Sequence, residues 1–420
     1  MSEMESNGAV KETGSIHNDT RQPSKLSSFF NFSEELSSSK YLRWLIIALL
    51  PVLFLMKYPV DSVDYDLWWQ MALGKYYVTH HTLIMDHSIF SWTPTDPTWI
   101  YNTCLGSLAI YLFYNFMGGF GLWLMHSLIF LGVFLSFYLF LRLVNQRLTI
   151  SSVAVIAAIA VACSPACRYY KPELFSLLLF CWTVFVFFNV KITGRKYLFY
   201  VYPLIFALWV NLHGAFVVGL VFLALAFTGE LLNRIFSGKS GTTNVWIHLG
   251  IAGVLSLAAL LLNPYGVDYL ISTYHGITSK IYAETHSNYI LAYVSLWEFL
   301  KNFGADFFSV GLTAWLMTLM IVSVWILLLY ELIRKKSFDF TVLVVSFALY
   351  WKGMETSRAS YFFPCAFFFI VFYMIIHRLQ WKNFMNRAAI FSLGMFALLF
   401  VFASYFNVRY GAGSQWFGKA

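Results

Sequence analysis

The chain has 420 residues, of which 59% are hydrophobic, 20% aromatic and only 11% charged, and its formal net charge is +8. A soluble domain carries about 25% charged residues, so this composition excludes an ordinary soluble enzyme and indicates a membrane protein. The positive charge does not predict a nucleic-acid partner, because the basic residues lie in short loops between apolar runs, as is typical of membrane topology.

The N-terminal residues 1–40 are rich in Ser, Glu and Asn and contain few apolar positions. We therefore predict a disordered tail on the cytoplasmic side. No cleavable signal peptide is expected, because the first apolar run begins only near Tyr41 and no small-residue cleavage site follows it. Residues 41–407 are predicted to form one membrane domain, and residues 408–420 a short external tail.

Apolar runs recur along the rest of the chain, most of them long enough to cross a hydrocarbon core of about 30 Å. Open sheet edges cannot be satisfied in lipid, so the predicted fold class is an all-α polytopic membrane protein. The runs cover residues 42–58, 105–117, 121–144, 151–164, 173–190, 197–212, 214–233, 246–263, 308–333, 338–352, 359–377 and 388–406.

Charge decides how the short run 105–117 fits the topology. With the N-terminus cytoplasmic, residues 59–104 lie outside, and they contain five Asp, one Lys and no Arg. If 105–117 lies along the surface, the later loops alternate and the inner ones hold 13 basic residues and one acid, Asp339. We therefore predict about eleven spans plus a juxtamembrane helix, with the C-terminus outside and external excursions at 59–104 and 264–306.

Ionisable groups at a membrane rim are candidate functional residues, because charge is costly at that depth. In this topology an unusual set of polar residues shares the external face. The set comprises Asp64, Asp66, Arg168, Lys171, Glu173, Asn211, His213, Asn263, His275, Glu284, His286, Glu298, Lys352, Glu355 and Arg358.

Asp64 and Asp66 lie beside Trp68 and Trp69 in the stretch DYDLWW. Two acids in a loop are usually only solvated, but here the aromatic flanks belong at a membrane interface. A carboxylate in that setting can act as a general base toward a hydroxyl or hold a divalent metal. We therefore favour a functional role for this pair.

Two short motifs between spans carry further candidates. Arg168 and Lys171, in RYYKPE, either anchor helix ends or clamp a lipid phosphate, and the residues leave both readings open. In VNLHG, His213 follows Asn211 and is a candidate proton carrier or hydrogen-bond donor, although a lone His is more often structural.

Two later segments are read differently. LLNPYG predicts the end of a span, with Asn263 satisfying freed backbone groups. In SLWEFL, Glu298 lies amid apolar residues and is expected to be buried with a cation such as Arg358 or Arg168. The five cysteines have no metal-ligand spacing.

Five segments, in this order, resemble bacterial members of the GT-C superfamily, which are multispanning glycosyltransferases that use polyprenyl-phosphate-linked sugars. They are DYDLWWQMALGKYYVTHHTLIMDHSIFSW at 64–92, LWVNLHGAFVVGL at 208–220, LNPYG at 262–266, WEF around Glu298 and ETSRASYFF around Arg358. The chain departs from the family pattern at Lys171, where relatives tend to have Arg before Pro, and at Thr103, where many have an acid.

The resemblance implies a GT-C-like bundle in a bacterial inner membrane, with the catalytic acid, Asp64 or Asp66, on the first external loop. The implied reaction transfers a hexosyl or pentosyl group from a polyprenyl-phosphate donor to a glycan, lipid or protein acceptor on the periplasmic face. No cofactor is required, and a divalent metal is allowed rather than needed. The candidate substrate-binding residues are Arg168, Lys171, Asn211, His213, Glu298 and Arg358.

Two other classes of function stay open. A transporter or flippase of lipid-linked saccharides also needs an amphiphilic cavity with cations, but many transporters show internal repeats and none is visible in this sequence. A non-catalytic GT-C relative that scaffolds cell-envelope biosynthesis would keep the fold without the activity.

Overall fold

A computed structural model describes residues 25–42, 44–45, 65–85, 90, 100, 103–167, 169–237, 244–278, 295–300, 311–381 and 383–406. All regular secondary structure in these residues is helical. The predicted first span, 42–58, lies almost entirely outside them, as does most of the excursion 264–306 beyond residue 278.

The helices follow the apolar runs of the sequence. They are α1 (Lys25–Ser38), α2 (Tyr65–His80), α3 (Cys104–Leu143), α4 (Ile150–Cys167), α5 (Glu173–Thr193), α6 (Tyr202–Leu212), α7 (Phe216–Ser237), α8 (Val245–Ala259), α9 (Val267–Thr278), α10 (Leu312–Lys335), α11 (Phe340–Glu355), α12 (Phe362–Phe372), α13 (Phe384–Arg387) and α14 (Ala389–Phe406). Short 3-10 turns lie at Lys196–Val201, Leu296–Leu300 and Ser357–Ala359, and a π-helical turn, Tyr373–Arg378, extends α12.

Five helical segments of the described chain are long and apolar enough to cross a membrane. These are Cys104–Leu143, Glu173–Thr193, Phe216–Phe236, Leu312–Lys335 and Ser357–Arg378. Shorter apolar helices occur at Ile150–Cys163, Lys196–Leu212 and Val245–Ala259. The predicted helical membrane class is confirmed, while the number of eleven spans stays a prediction.

Helix α3 is broken at Gly118, which has a φ of 58° and a ψ of −143° that only glycine adopts readily. In a straight helix Phe113 and Gly121 would be about 12 Å apart along the axis. Here a Cβ added to Gly121 would collide with the carbonyl oxygen of Phe113, so the chain turns sharply between them. The turn separates the run 105–117 from the run that follows.

Helix α12, which follows the 3-10 turn that contains Arg358, lies at the centre of the bundle. Its sequence FFPCAFFFIVF is apolar all round, as expected of a helix buried on every side, and residues 362–376 are all buried. Phe368 stacks on Phe137 of α3 with ring centroids 4.2 Å apart, and Phe362 meets Phe180 of α5 edge to face at 4.9 Å. This aromatic core fixes the segment that begins with Arg358.

A buried polar network, here called the Asp339 network, joins α5, α7, α11 and the π-helical turn. Asp339 caps α11 by accepting from the backbone N–H groups of Thr341 and Val342 at 3.1 and 3.3 Å. It also pairs with Lys191 at 3.1 Å and accepts from the Tyr373 hydroxyl at 3.0 Å.

Further groups complete the Asp339 network. Lys191 also donates to Glu230, Thr341 donates to Glu230 at 2.8 Å, and Asn233 donates to Asp339 at 3.2 Å. Burial opposes the charge of Asp339, but Lys191 and Arg378 outweigh burial and hold the pKa of this carboxyl at about 2, below its ordinary value of 3.8. The sequence predicted Asp339 only as the one acid among basic inner loops.

The Asp339 network lies at the opposite end of the bundle from the N-terminus of α5. Glu173 begins α5 and Lys191 lies 18 residues later, which corresponds to about 27 Å of helix. That distance is close to the thickness of a hydrocarbon core, about 30 Å. The bundle therefore has two polar ends separated by an apolar layer of membrane dimensions.

Helix α1 lies inside the tail that was predicted to be disordered, so the structure differs from that expectation over residues 25–38. The buried Ser33 donates to the carbonyl oxygen of Arg387 at 2.7 Å and accepts from the backbone N–H of Ile390 at 3.3 Å. Phe29 contacts Phe391 with ring centroids 5.7 Å apart. These aromatic and serine contacts hold α1 against α14. The prediction of disorder rested on the average composition of residues 1–40, which does not show individual contact residues such as Phe29 and Ser33.

Candidate functional site

The turn between α4 and α5 contacts α2 through an ion pair. Lys171 lies in this turn, just before Pro172 and the start of α5. Its Nζ atom lies 2.7 Å from Oδ2 of Asp66 in α2. The Asp66 side chain is 56% exposed and the Lys171 side chain 22% exposed, so the carboxylate is reachable from outside while the ammonium is mostly enclosed.

Glu173, in the first turn of α5, contacts two further chain segments. Its Oε1 accepts from a terminal nitrogen of Arg358 at 3.0 Å and lies 3.7 Å from Nε2 of His213. A carboxylate in the first turn of a helix is also favoured by the helix dipole. Lys171 lies two residues before Glu173 and its charge acts on that carboxylate, so Asp66, Lys171, Glu173, His213 and Arg358 are together called the Glu173 cluster.

His213 is held at the end of α6. The helix ends at Leu212, and His213 takes an extended conformation with its backbone N–H bonded to the carbonyl of Trp209 at 3.0 Å. Its Nδ1 atom lies 2.7 Å from the hydroxyl of Ser176, which accepts from the indole N–H of Trp209 at 2.7 Å. Burial is the main cause that lowers the pKa of His213 from 6.5 to about 4. The negative charge of Glu173 raises this pKa, and the positive charge of Arg358 lowers it further.

Two glycines allow the close packing that assembles the cluster. A Cβ on Gly74 of α2 would collide with the backbone carbonyl of Ser107, and one on Gly106 would collide with the carbonyl of Leu212. Because neither position has a side chain, α2 lies directly on α3, and α3 lies directly on the end of α6. Asp66 and His213 are thereby brought toward the same end of the bundle.

Thr103, where the resemblance expected an acid, belongs to a different contact. Its hydroxyl donates to the side-chain oxygen of Gln70 at 3.1 Å, and Ser107 donates to the same oxygen. These bonds join α2 to the start of α3. Thr103 therefore supports the position of α2, which carries Asp66.

The other predicted site residues are placed as follows. Asn211 is buried, and its amide donates to the carbonyls of Ala207 and Leu262 at 2.8 and 3.0 Å, which ties α6 to the end of α8. Asp64 and Arg168 lie outside the described residues. Glu298 is exposed, so the expectation that it is buried is wrong. Arg358 pairs with Glu173 instead.

The prediction that LLNPYG ends a helix and that Asn263 satisfies freed backbone groups is confirmed. The amide of Asn263 donates to the carbonyls of Leu260 and Gly266 at 2.7 and 3.0 Å, and its oxygen accepts from the backbone N–H of Tyr265 at 2.9 Å. This side chain satisfies backbone groups freed where α8 ends.

Sequence reasoning missed Ser176 and Trp209 and did not single out Glu173. The missed signal is one of spacing. Glu173 and Ser176 are three residues apart and share one face of α5, and Trp209 lies in the last turn of α6, four residues before His213. Among the residues that the structure describes, no three His, Cys, Asp or Glu side chains come together as a metal site would require.

The helices and the cluster define the class of this protein as an all-helical membrane protein with a charged group of side chains at one end of its bundle. No protein-family model matches the chain, and no curated protein does. Among solved structures, the chain is similar to the crystal structure of the oligosaccharyltransferase of Archaeoglobus fulgidus in the apo form.

That similarity has a TM-score of 0.49 at 12% sequence identity. It covers 87% of this chain and 56% of the archaeal chain, so this chain spans little more than half the length of that protein.

Proposed function

We propose that this chain is a GT-C type glycosyltransferase that moves a hexosyl or pentosyl group from a polyprenyl-phosphate donor to an acceptor hydroxyl. The observation that carries the proposal is the Glu173 cluster itself. It puts an exposed carboxylate, Asp66, next to Lys171, whose charge acts on Glu173, the partner of Arg358, although Asp66, Lys171 and Arg358 are far apart in the chain.

The chemistry follows from the charges of these groups. The acceptor oxygen forms a bond to the anomeric carbon of the sugar while the bond from that carbon to the phosphate oxygen breaks. The acceptor proton passes to the carboxylate of Asp66, and the electron pair of the broken bond leaves on the lipid phosphate. Lys171 and Arg358 stabilise the growing negative charge, which is where electrostatic help most lowers a barrier.

The position of the cluster suits a lipid-linked donor. It lies at one end of α5 and of the central segment, about one hydrocarbon thickness from the Asp339 network. A polyprenyl tail placed along the apolar helices would bring its phosphate to Arg358 and Lys171. We assign this end to the external, periplasmic face of a bacterial inner membrane, in agreement with the charge pattern of the loops.

The decisive experiment is an assay of sugar transfer from radiolabelled polyprenyl-phosphate hexose and pentose donors in proteoliposomes. We expect Asp66→Asn to lower transfer about 100-fold or more. Asp268→Asn is the matched control, because Asp268 is an exposed carboxylate in the first turn of α9 and outside the cluster. Asp64→Asn tests the second acid of the motif.

Full transfer activity in both the Asp64→Asn and Asp66→Asn variants would refute the assignment of a base. Labelled donor that crosses the bilayer without turnover would indicate a transporter or flippase instead. Donor binding without transfer to any glycan, lipid or protein acceptor would favour the non-catalytic scaffold.

A further inference from the structure

We propose that Trp209, Ser176 and His213 form a hydrogen-bond relay that fixes the imidazole proton on Nε2 and thereby positions Glu173 and Arg358 to receive a phosphate group. This inference rests on the proposed function and assigns a positioning role to residues outside the predicted chemistry.

The direction of each hydrogen bond follows from the groups involved. An indole N–H only donates, so the Ser176 oxygen is the acceptor of the 2.7 Å bond from Trp209. The Ser176 oxygen also lies 2.7 Å from Nδ1 of His213, where either group could donate. The backbone N–H of Ala215, which can only donate, points to the same Nδ1 atom at 3.4 Å. Nδ1 is therefore the acceptor, so it is the unprotonated nitrogen, Ser176 donates to it, and the ring proton lies on Nε2.

The protonated Nε2 atom faces Glu173. It lies 3.7 Å from Oε1, the oxygen that also accepts from Arg358 at 3.0 Å. The carboxylate is therefore approached by a neutral donor on one side and a guanidinium on the other. The Arg358 side chain is 43% exposed, so this pairing lies where a ligand can reach it from outside the bundle.

Protonation of His213 would disturb this arrangement. A second ring proton would lie on Nδ1, where it would face the hydrogens of Ser176 and Ala215. Burial acts in the same direction, since the ring is nine-tenths enclosed. The charged groups that face the ring are Glu173 on α5 and Arg358 before α12, and they oppose each other. His213 is thus suited to hold Glu173 and unsuited to carry a proton near neutral pH.

The test compares the affinities of farnesyl phosphate and farnesol, which share a tail and differ in the phosphate. We expect the wild-type protein in detergent to prefer farnesyl phosphate by about tenfold or more, because a hydrogen bond to a charged group has that worth. Arg358→Gln should remove this preference. His213→Phe and Ser176→Ala should weaken it several-fold, whereas His213→Gln, which keeps a donor toward Glu173, should retain it.

Ser256→Ala is the matched control for Ser176→Ala. Ser256 is also fully buried, but its hydroxyl donates at 2.7 Å to the carbonyl of Ala252 in its own helix, α8. A merely structural effect of losing a buried hydroxyl would appear in both serine variants. Only the relay predicts loss of phosphate preference in Ser176→Ala alone, together with rescue by His213→Gln.

The tautomer can also be measured directly on the wild-type protein, with the His213→Gln variant used only to assign the signals. In a histidine-labelled sample, the ¹⁵N signals that disappear in His213→Gln should show a protonated Nε2 and an unprotonated Nδ1 at pH 7. A proton on Nδ1, or an imidazolium ring at that pH, would overturn the relay.

The outcomes separate the two proposals. If the wild-type protein does not distinguish farnesyl phosphate from farnesol, the phosphate site of the proposed function fails. If it distinguishes them and Arg358→Gln abolishes the difference, but His213→Phe and Ser176→Ala keep it, only the relay is refuted.

Discussion

Replacing Lys191 by Met should destabilise the bundle through the Asp339 network. Lys191 contacts both Asp339 and Glu230, and all three side chains are at most 10% exposed. Methionine keeps most of the apolar length of the side chain but removes the charge. The variant therefore leaves two buried carboxylates without the cation that they share.

The structure sets the size of this effect. Removing one partner of a buried ion pair costs about 3–5 kcal/mol. Asp339 keeps Asn233, Tyr373 and its capping N–H donors, whereas among the described residues Glu230 keeps only the Thr341 hydroxyl. The lower end, about 3 kcal/mol, is therefore expected. The lowered pKa of Asp339 agrees in direction, since burial opposes the charge of this carboxyl and Lys191 is the largest of the effects that outweigh burial.

Thermal unfolding in detergent measures the effect. With an unfolding entropy of about 2 cal/mol/K per residue, a loss of about 3 kcal/mol lowers the Tm of a chain this long by about 3 °C. The matched control is Arg195→Met, which removes an exposed cation near the same end of α5. The double variant Lys191→Met with Glu230→Gln should recover part of the loss, because one unpaired charge is removed as well.

Two results would refute this reasoning. One is a Lys191→Met variant whose Tm falls no further than that of Arg195→Met, which would mean that the buried carboxylates do not depend on the shared cation. The other is a double variant that is less stable than Lys191→Met by the full cost of Glu230→Gln alone, which would mean that the two residues are uncoupled.

Three further predictions concern α3, α2 and pH. Gly118→Ala should lower the Tm, because the backbone there costs about 1–3 kcal/mol for a residue with a side chain; Gly119→Ala should be tolerated, since nothing lies within 4 Å of its added Cβ. Gly74→Ala should push α2 away from Ser107 and so carry Asp66 away from the cluster. The loss of sugar-transfer activity should then be larger than the loss of stability accounts for. Because the folded-state pKa of His213 is about 4, stability should fall as pH drops from about 6.5 to 4, by up to roughly 3 kcal/mol.

Controls distinguish these effects from general damage. The pH effect should be smaller in His213→Gln, which lacks the buried imidazole that the unfolded chain would protonate in that range, and equal slopes in both proteins would contradict the burial argument. A Gly118→Ala variant as stable as Gly119→Ala would show that the turn does not need glycine. If the Tm of Gly74→Ala falls enough to explain its loss of transfer activity, the cause is unfolding rather than displacement of Asp66.

The sequence was sufficient to predict which ends of the helices carry the candidate site. Lys171, His213 and Arg358 each lie where one apolar run ends and the next begins, so alternation across a membrane directs them to one face. Apolar length, the break between the runs 105–117 and 121–144 and the Asn263 turn were predictable for the same reason, because each is a local property of a few neighbouring residues.

The pairing of charges could not be read in the same way. A segment such as FFPCAFFFIVF has no polar face, so its own residues do not show its rotation about the helix axis, which depends on packing against distant residues such as Phe137 and Phe180. That rotation decides that Arg358 meets Glu173 and not Glu298. The same limit explains why Asp339 looked like a loop residue, since nothing local to it shows that Lys191 lies beside it.

The central segment from Arg358 to Arg378 is tied at both ends, to Glu173 at one and to Glu331 at the other. An axial slide of one helical turn would move both guanidinium groups by about 5.4 Å and break both ion pairs at once. The segment is therefore held against axial movement, and an opening that admits a bulky ligand is expected at outer parts such as α2, where Trp68 and Trp69 are exposed.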